Sequence, residues 1–152
     1  GQPCRLDMIG PKTEPVYTEL LNLIQSLDIS PKIKFYGSIE YGQALFTYYQ
    51  QSDMLVLPTY FEGFPKVIWE AAANCCPVVT TSVGGIPAIW TNNVHGLLVP
   101  PRNLDQLVEK MTLMMTNNSL RQRVIKIAYD YTKKNTVEAG ASQLAQVLAQ
   151  VW

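Results

Sequence analysis

The sequence predicts an α/β domain, a parallel sheet with flanking helices. Three observations carry that reading. Short apolar runs alternate with longer stretches of helical period, as in successive β-α-β units. The run Met54-Leu55-Val56-Leu57 is continuous rather than alternating, as in a strand covered on both faces. Glycines stand just past the strand-like runs, at Gly10, Gly37, Gly63 and Gly84-Gly85, where a strand gives way to a loop.

The elements follow in order. Arg5 to Ile9 alternates weakly and stops at Gly10-Pro11, a first strand. Val16, Leu20, Leu21, Ile24 and Leu27 fall at helical spacing and predict an amphipathic helix over 14–27. Lys32 to Tyr36 alternates and ends at Gly37, a second strand. Tyr41 to Gln51 reads as helix and Met54 to Leu57 as the third strand. Pro65 to Asn74 reads as a helix with proline at its first position. Pro77 to Thr81 is a fourth strand closed by Gly84-Gly85, and Pro87 to Trp90 one helical turn. Gly96 to Val99 is a fifth strand, stopped by Pro100-Pro101. Helices are expected over 104–116, 119–133 and 137–151. In a doubly wound sheet the loops after the strands share one edge, where ligands bind.

Composition narrows the function classes. With 152 residues the chain suits one domain with a sizeable core. Twelve basic and twelve acidic side chains cancel, so no overall charge favours a nucleic acid partner. No apolar stretch approaches the ~20 residues of a membrane span. Cys4, Cys75 and Cys76 have neither disulfide nor metal spacing. Adjacent Cys75 and Cys76 read as buried small hydrophobes. The odd cysteine count and the lack of a secretory segment suit a reducing cytoplasm. The start at Gly1-Gln2-Pro3, close before a strand, reads as a boundary within something longer.

The chemistry concentrates in Phe61-Glu62-Gly63-Phe64-Pro65-Lys66-Val67-Ile68-Trp69-Glu70. A strand, a glycine-bearing turn and a helix start make an anion site, because the first N–H groups of a helix are unpaired and its dipole favours negative charge there. Gly63 lets the backbone approach a ligand. Phe64, Lys66 and Val67 offer N–H groups, Pro65 does not, and the Lys66 ammonium adds a point charge for phosphate. The plainer reading makes Pro65 a helix starter and Lys66 a solvated charge. Glu70 stands in an apolar stretch, roughly 7.5 Å along the axis from Pro65, at a distance that suits a sugar hydroxyl pair. Its plainer reading is an exposed helix charge. Glu62 is placed to accept hydrogen bonds from sugar hydroxyls, or is a surface loop residue. With no histidine or second acid in that loop, acid/base hydrolysis by the pair is disfavoured.

Other features take structural readings. His95, the single histidine, reads as structural or solvent-facing. Tyr48-Tyr49 and Tyr60-Phe61 read as core or rim, Lys133-Lys134 as solvated, and Met111, Met114 and Met115 as core. There is no G-x-G-x-x-G after the first strand and no G-x-x-x-x-G-K-[ST], so neither a dinucleotide site nor a P-loop is expected.

The stretch Glu62 to Ala73 resembles retaining nucleotide-sugar glycosyltransferases of the group 1 type (family 4, GT-B fold), which carry a Glu-x7-Glu motif after a strand ending in Leu-Pro. Ile33 to Gly37, Asp53 to Pro58, Pro77 to Thr80, Gly84-Gly85-Ile86-Pro87 and Gly96 to Pro100 match further family segments in order. The likeness runs from about Leu6 to the end. It implies a Rossmann-like carboxy-terminal half of a GT-B enzyme, spanning residues 1–152. The first strand and helix of that domain, with the Arg and Lys that neutralise the diphosphate, would precede this chain, as would the amino-terminal acceptor domain.

By resemblance, Glu62 holds the donor sugar as the catalytic position, and the backbone of Gly63, Phe64, Pro65, Lys66 and Val67 meets the sugar and diphosphate. Glu70 binds the ribose, and Gly37-Ser38-Ile39 with Gly10 belong to the nucleotide site. The implied partners are a nucleotide-diphospho-sugar and the chain's own acceptor domain, without cofactor or metal. The setting is cytoplasmic, with peripheral membrane association of the full-length enzyme left open. Cys75 stands where the family has glycine, and Ala88 where it has glutamate; Asn74 is expected to take the left-handed helix ending. The fragment alone is expected to be inactive, since catalysis needs both halves. A sugar-nucleotide epimerase half and a non-catalytic binding module are the alternatives.

Overall fold

A computed structural model describes residues 4–151. The chain divides into two compact units, one ending at Leu45 and the other beginning at Phe46.

The first unit is a single β-α-β crossover. Strand β1 (Leu6–Ile9) pairs in parallel with β2 (Ile33–Gly37), Leu6 opposite Ile33 and Met8 opposite Phe35. The register shifts between Met8 and Ile9, where the strand runs out into Gly10. Helix α1 (Val16–Ser26) makes the crossover. It seats Tyr17 edge-on against Phe35, ring centres 5.1 Å apart, and buries Ile24. The apolar stripe expected on this helix is only partly used, since Val16, Leu21 and Leu27 are exposed. Two strands about 4.8 Å apart offer a helix a narrow face. The chain leaves α1 at Asp28, whose φ of 51° is a conformation aspartate tolerates better than most residues. A 3₁₀ turn, Ser30–Lys32, leads into β2.

Helix α2 (Gln43–Gln51) carries the chain into the second unit. There β3 (Leu55–Leu57), β4 (Val78–Thr81) and β5 (Leu97–Val99) form a parallel sheet in the order β3-β4-β5. Leu55 stands opposite Val78, and Val79 opposite Leu97. All four residues of β4 are buried, as befits a central strand. Its threonines satisfy their hydroxyls on β3 and the residues just past it: Thr80 Oγ1 donates to the Leu57 carbonyl at 3.0 Å and Thr81 Oγ1 to that of Thr59. The strands are thus hydrogen-bonded as a pair and a triple, where the sequence reading expects one sheet.

Helices α3 (Lys66–Ala73), the short α4 (Ile86–Ile89), α5 (Leu104–Thr116), α6 (Asn118–Lys134) and α7 (Val137–Val151) complete the unit. Val79 and Leu97 of the sheet pack with Met114 of α5 and Val124 of α6, all fully buried. Burying each such side chain contributes roughly 1.5–3 kcal/mol. Asparagine caps start α5 and α6: Asn103 Oδ1 accepts from the Gln106 N–H at 3.0 Å and Asn117 Oδ1 from that of Leu120 at 2.9 Å. No helix among the described residues is long and apolar enough to cross a membrane.

Two local outcomes correct the sequence reading of α3. The helix begins at Lys66, and Pro65 is its cap, with extended backbone (φ −77°, ψ 92°). At the other end Cys75, not Asn74, takes the left-handed conformation, φ 58° against −101°. The Cys75 N–H donates to the Ala72 carbonyl at 3.1 Å and the Cys76 N–H to that of Ala71 at 2.9 Å, the paired bonds that close a helix through a left-handed residue. Cys75 is exposed, so of the adjacent pair only Cys76 is buried. Burial pushes the Cys76 thiol up to about 12, which leaves it unreactive.

A row of rings joins α3 to α6. Phe64 stacks on Trp69 (5.9 Å), Trp69 on Tyr131 of α6 (5.3 Å) and Tyr131 on His95 (4.3 Å). Trp90 lies edge-on to Trp69 at 6.1 Å.

Candidate ligand site at the start of α3

The site is built where the strands of the second unit end. The Ser82 N–H donates to the Val99 carbonyl at 2.8 Å, and the Thr81 hydroxyl reaches Thr59, so the exits of β3, β4 and β5 are tied together. The loop after β4 then passes directly against the loop after β3. The Gly85 N–H donates to the Glu62 carbonyl at 3.2 Å. A Cβ on Gly84 would overlap that carbonyl, and one on Gly85 would overlap the carbonyl of Gly63. Gly84 also has a φ of 52°. The Gly84-Gly85 pair is therefore required for Glu62 and Gly63 to stand where they do.

Beyond Gly63 the chain enters α3. A Cβ on Gly63 would meet nothing, so the space beside that backbone is open. The Ile68 N–H donates to the Pro65 carbonyl at 3.1 Å, while among the described residues no acceptor meets the N–H groups of Phe64, Lys66 and Val67. Lys66 is exposed and forms no ion pair among the described residues. Phe64, 59% exposed, leans on Trp69.

The two carboxylates differ. Both are half-buried, but among the described residues no donor meets the Glu62 carboxylate. The Glu70 Oε2 accepts from the buried Tyr49 hydroxyl at 3.0 Å. The reading of Glu70 as an exposed helix charge is thereby excluded. Sequence alone does not place Tyr49 at this site. It lies on α2, 21 residues earlier, and nothing local to the motif signals it.

In the first unit, Gly10 and Gly37 come together. The Gly10 N–H donates to the Gly37 carbonyl at 2.9 Å, and both residues have positive φ, 146° and 71°. Ser38 and Ile39 continue the same loop. The four glycine loops expected at one edge thus appear as two joined pairs, one in each unit.

His95 is committed to structure. Its Nδ1 accepts from the Thr91 N–H at 3.0 Å, its ring stacks on Tyr131, and burial holds its pKa below the ordinary histidine value.

Strands ending at a glycine turn, a helix tip with unmet N–H groups, one carboxylate before it and one along the helix define an α/β domain with a candidate ligand edge. The family model described as "Glycosyl transferases group 1" matches residues 1–131. The chain belongs to that family, and its fold is that of GT-B glycosyltransferases. It is 30% identical over 127 residues to an uncharacterised glycosyltransferase of Methanocaldococcus jannaschii, covering 78% of this chain and 32% of that protein. Among solved structures it matches sucrose-phosphate synthase of Thermosynechococcus elongatus with a TM-score of 0.84 and 25% identity, over 97% of this chain and 38% of that one. It matches Anabaena HepE, solved in complex with UDP-glucose, with a TM-score of 0.83 and 21% identity, over 96% of this chain and 41% of that one. The chain spans about a third of the curated relatives it matches.

Proposed function

We propose that this chain is the carboxy-terminal, donor-binding half of a retaining glycosyltransferase that uses a nucleotide-diphospho-sugar. Glu62 holds the hydroxyls of the donor sugar. The N–H groups of Phe64, Lys66 and Val67 meet the diphosphate, helped by the Lys66 charge, and the open side of Gly63 admits the sugar. Glu70, oriented by Tyr49, grips the ribose. The Gly10 and Gly37-Ser38-Ile39 loops of the first unit offer backbone to a base. The acceptor binds to a separate amino-terminal domain of the full protein, transfer needs no metal or cofactor, and this chain alone does not turn over.

The observation that carries the reading is a helix tip with unmet donors that follows one carboxylate without a partner among the described residues and precedes another fixed by Tyr49. The fold shared with a protein solved with UDP-glucose agrees with it. His95 is engaged by Thr91 and Tyr131, which removes the one histidine an epimerase could draw on here.

Calorimetric titration of the chain with UDP, GDP and ADP, each with and without sugar, tests the proposal. One nucleotide is expected to bind preferentially, with Glu70→Gln weakening it by about 1–3 kcal/mol. Equal affinity of wild type and Glu70→Gln for every nucleotide would refute the assignment of Glu70.

A further inference from the structure

Arg102 follows β5 directly after Pro100-Pro101 and has a φ of 60°. That left-handed conformation costs a non-glycine residue backbone strain, and among the described residues no hydrogen bond or ion pair of its side chain offsets the cost. The guanidinium lies instead over the ring of Tyr60, 5.3 Å from its centre. Tyr60 is held in place by its neighbours: Thr59 Oγ1 donates to the Phe61 carbonyl at 2.9 Å and accepts from the Phe61 N–H at 3.3 Å. Tyr60 precedes Glu62 by two residues, on its strand side, whereas Lys66 and Glu70 follow on the helix side. A cation without a hydrogen-bond or ion-pair partner among the described residues, posed on an aromatic face at the cost of backbone strain, thus rests on a residue two positions before Glu62.

We propose that Arg102, laid over Tyr60, forms an anion subsite next to Glu62 that takes the carboxylate or phosphate of a sugar-bearing ligand. The proposal rests on the reading of Glu62 as the residue that holds a sugar. Arginine suits this role, because it is always charged, presents two parallel N–H groups to a planar or tetrahedral anion, and keeps its donors available while stacked on a ring. The anion has two sources with the same chemistry, an acidic donor sugar or the phosphate of a sugar acceptor that the amino-terminal domain holds and Arg102 contacts from this side.

The experiment follows the Arg102 Nε–Hε resonance of the ¹⁵N-labelled chain during titration with UDP-glucose, UDP-glucuronate, glucose and glucose 6-phosphate. One charged ligand is expected to bind about tenfold more tightly than its neutral counterpart, as one charge-assisted contact provides, and to move the Arg102 signal. Arg102→Gly should erase that advantage while raising stability, because glycine adopts the left-handed conformation freely; a purely structural arginine would not give these opposite signs. Arg102→Lys should keep part of the advantage. A gain with UDP-glucuronate assigns the anion to the donor, and a gain with glucose 6-phosphate to the acceptor. Equal affinity for charged and neutral ligands, or a gain that survives in Arg102→Gly, overturns the proposal. A chain that binds UDP-glucose but shows no charge preference keeps the donor reading and loses this one. A chain that takes glucose 6-phosphate through Arg102 but binds no UDP ligand does the reverse.

Discussion

The Tyr49 hydroxyl donates to Glu70 Oε2 at 3.0 Å, joining α2 to the middle of α3. The bond sets the direction of a carboxylate that would otherwise rotate freely on its helix. Tyr49→Phe keeps the buried ring and removes this donor. We expect a stability loss of about 1 kcal/mol in urea denaturation, together with weaker nucleotide binding. An unchanged affinity would show that Glu70 does not depend on Tyr49 for its orientation.

The Gly84-Gly85 crossing makes a sharper prediction. Gly84→Ala puts a methyl group into the Glu62 carbonyl and imposes a positive φ on alanine. A loss of about 2–3 kcal/mol is expected from strain and displacement. Gly63→Ala, by contrast, meets only open space within the protein. It should fold with nearly wild-type stability in the same denaturation series and lose affinity for the sugar nucleotide.

Cys75→Gly should raise stability by about 1 kcal/mol. The left-handed helix ending is already formed by Cys75, whose side chain is exposed, so glycine relieves strain without removing packing. Thermal melting of the two proteins side by side reads the difference, and a lower midpoint for the glycine variant would contradict the assignment of strain to this residue.

His95 gives a pH dependence. Burial depresses its folded pKa below the ordinary value of 6.5, so the unfolded chain takes up its proton first as pH falls. The His95 contribution is complete above about pH 6.5 and is lost as pH drops from there through the folded value. Denaturation midpoints for wild type and His95→Gln should therefore converge between about pH 7 and about pH 5. Parallel curves would mean that the ring titrates alike in both states.

Much of this is legible in the sequence because it is local. Period and glycine placement order the strands and helices, but the continuous run of β3, read as covered on both faces, is only half-buried, and the fully buried strand is β4 between its two neighbours. The turn into α3 is legible to within one residue. What escapes reading depends on contacts between distant segments. Tyr49 meets Glu70 only because α2 and α3 pack together, and the support of Glu62 by Gly84-Gly85 exists only once β3 and β4 lie side by side. The exposed apolar residues of α1 escape for another reason: periodicity identifies the apolar side of a helix but not how wide a sheet will cover it. At the end of α3, residue preference favours asparagine for a left-handed ending, whereas the two hydrogen bonds that close the helix select Cys75.

The row of rings from Phe64 to His95 also gives the protein an optical signature. Trp69 and Trp90, 6.1 Å apart and inclined at 69°, are close enough for their transitions to couple, and one of them touches the phenyl ring that flanks the open turn. Near-ultraviolet circular dichroism should therefore carry a strong indole signal that vanishes when the packing around α3 loosens. A molecule settling against Phe64 should alter Trp69 emission without any label, so the protein carries its own spectroscopic probe of the turn.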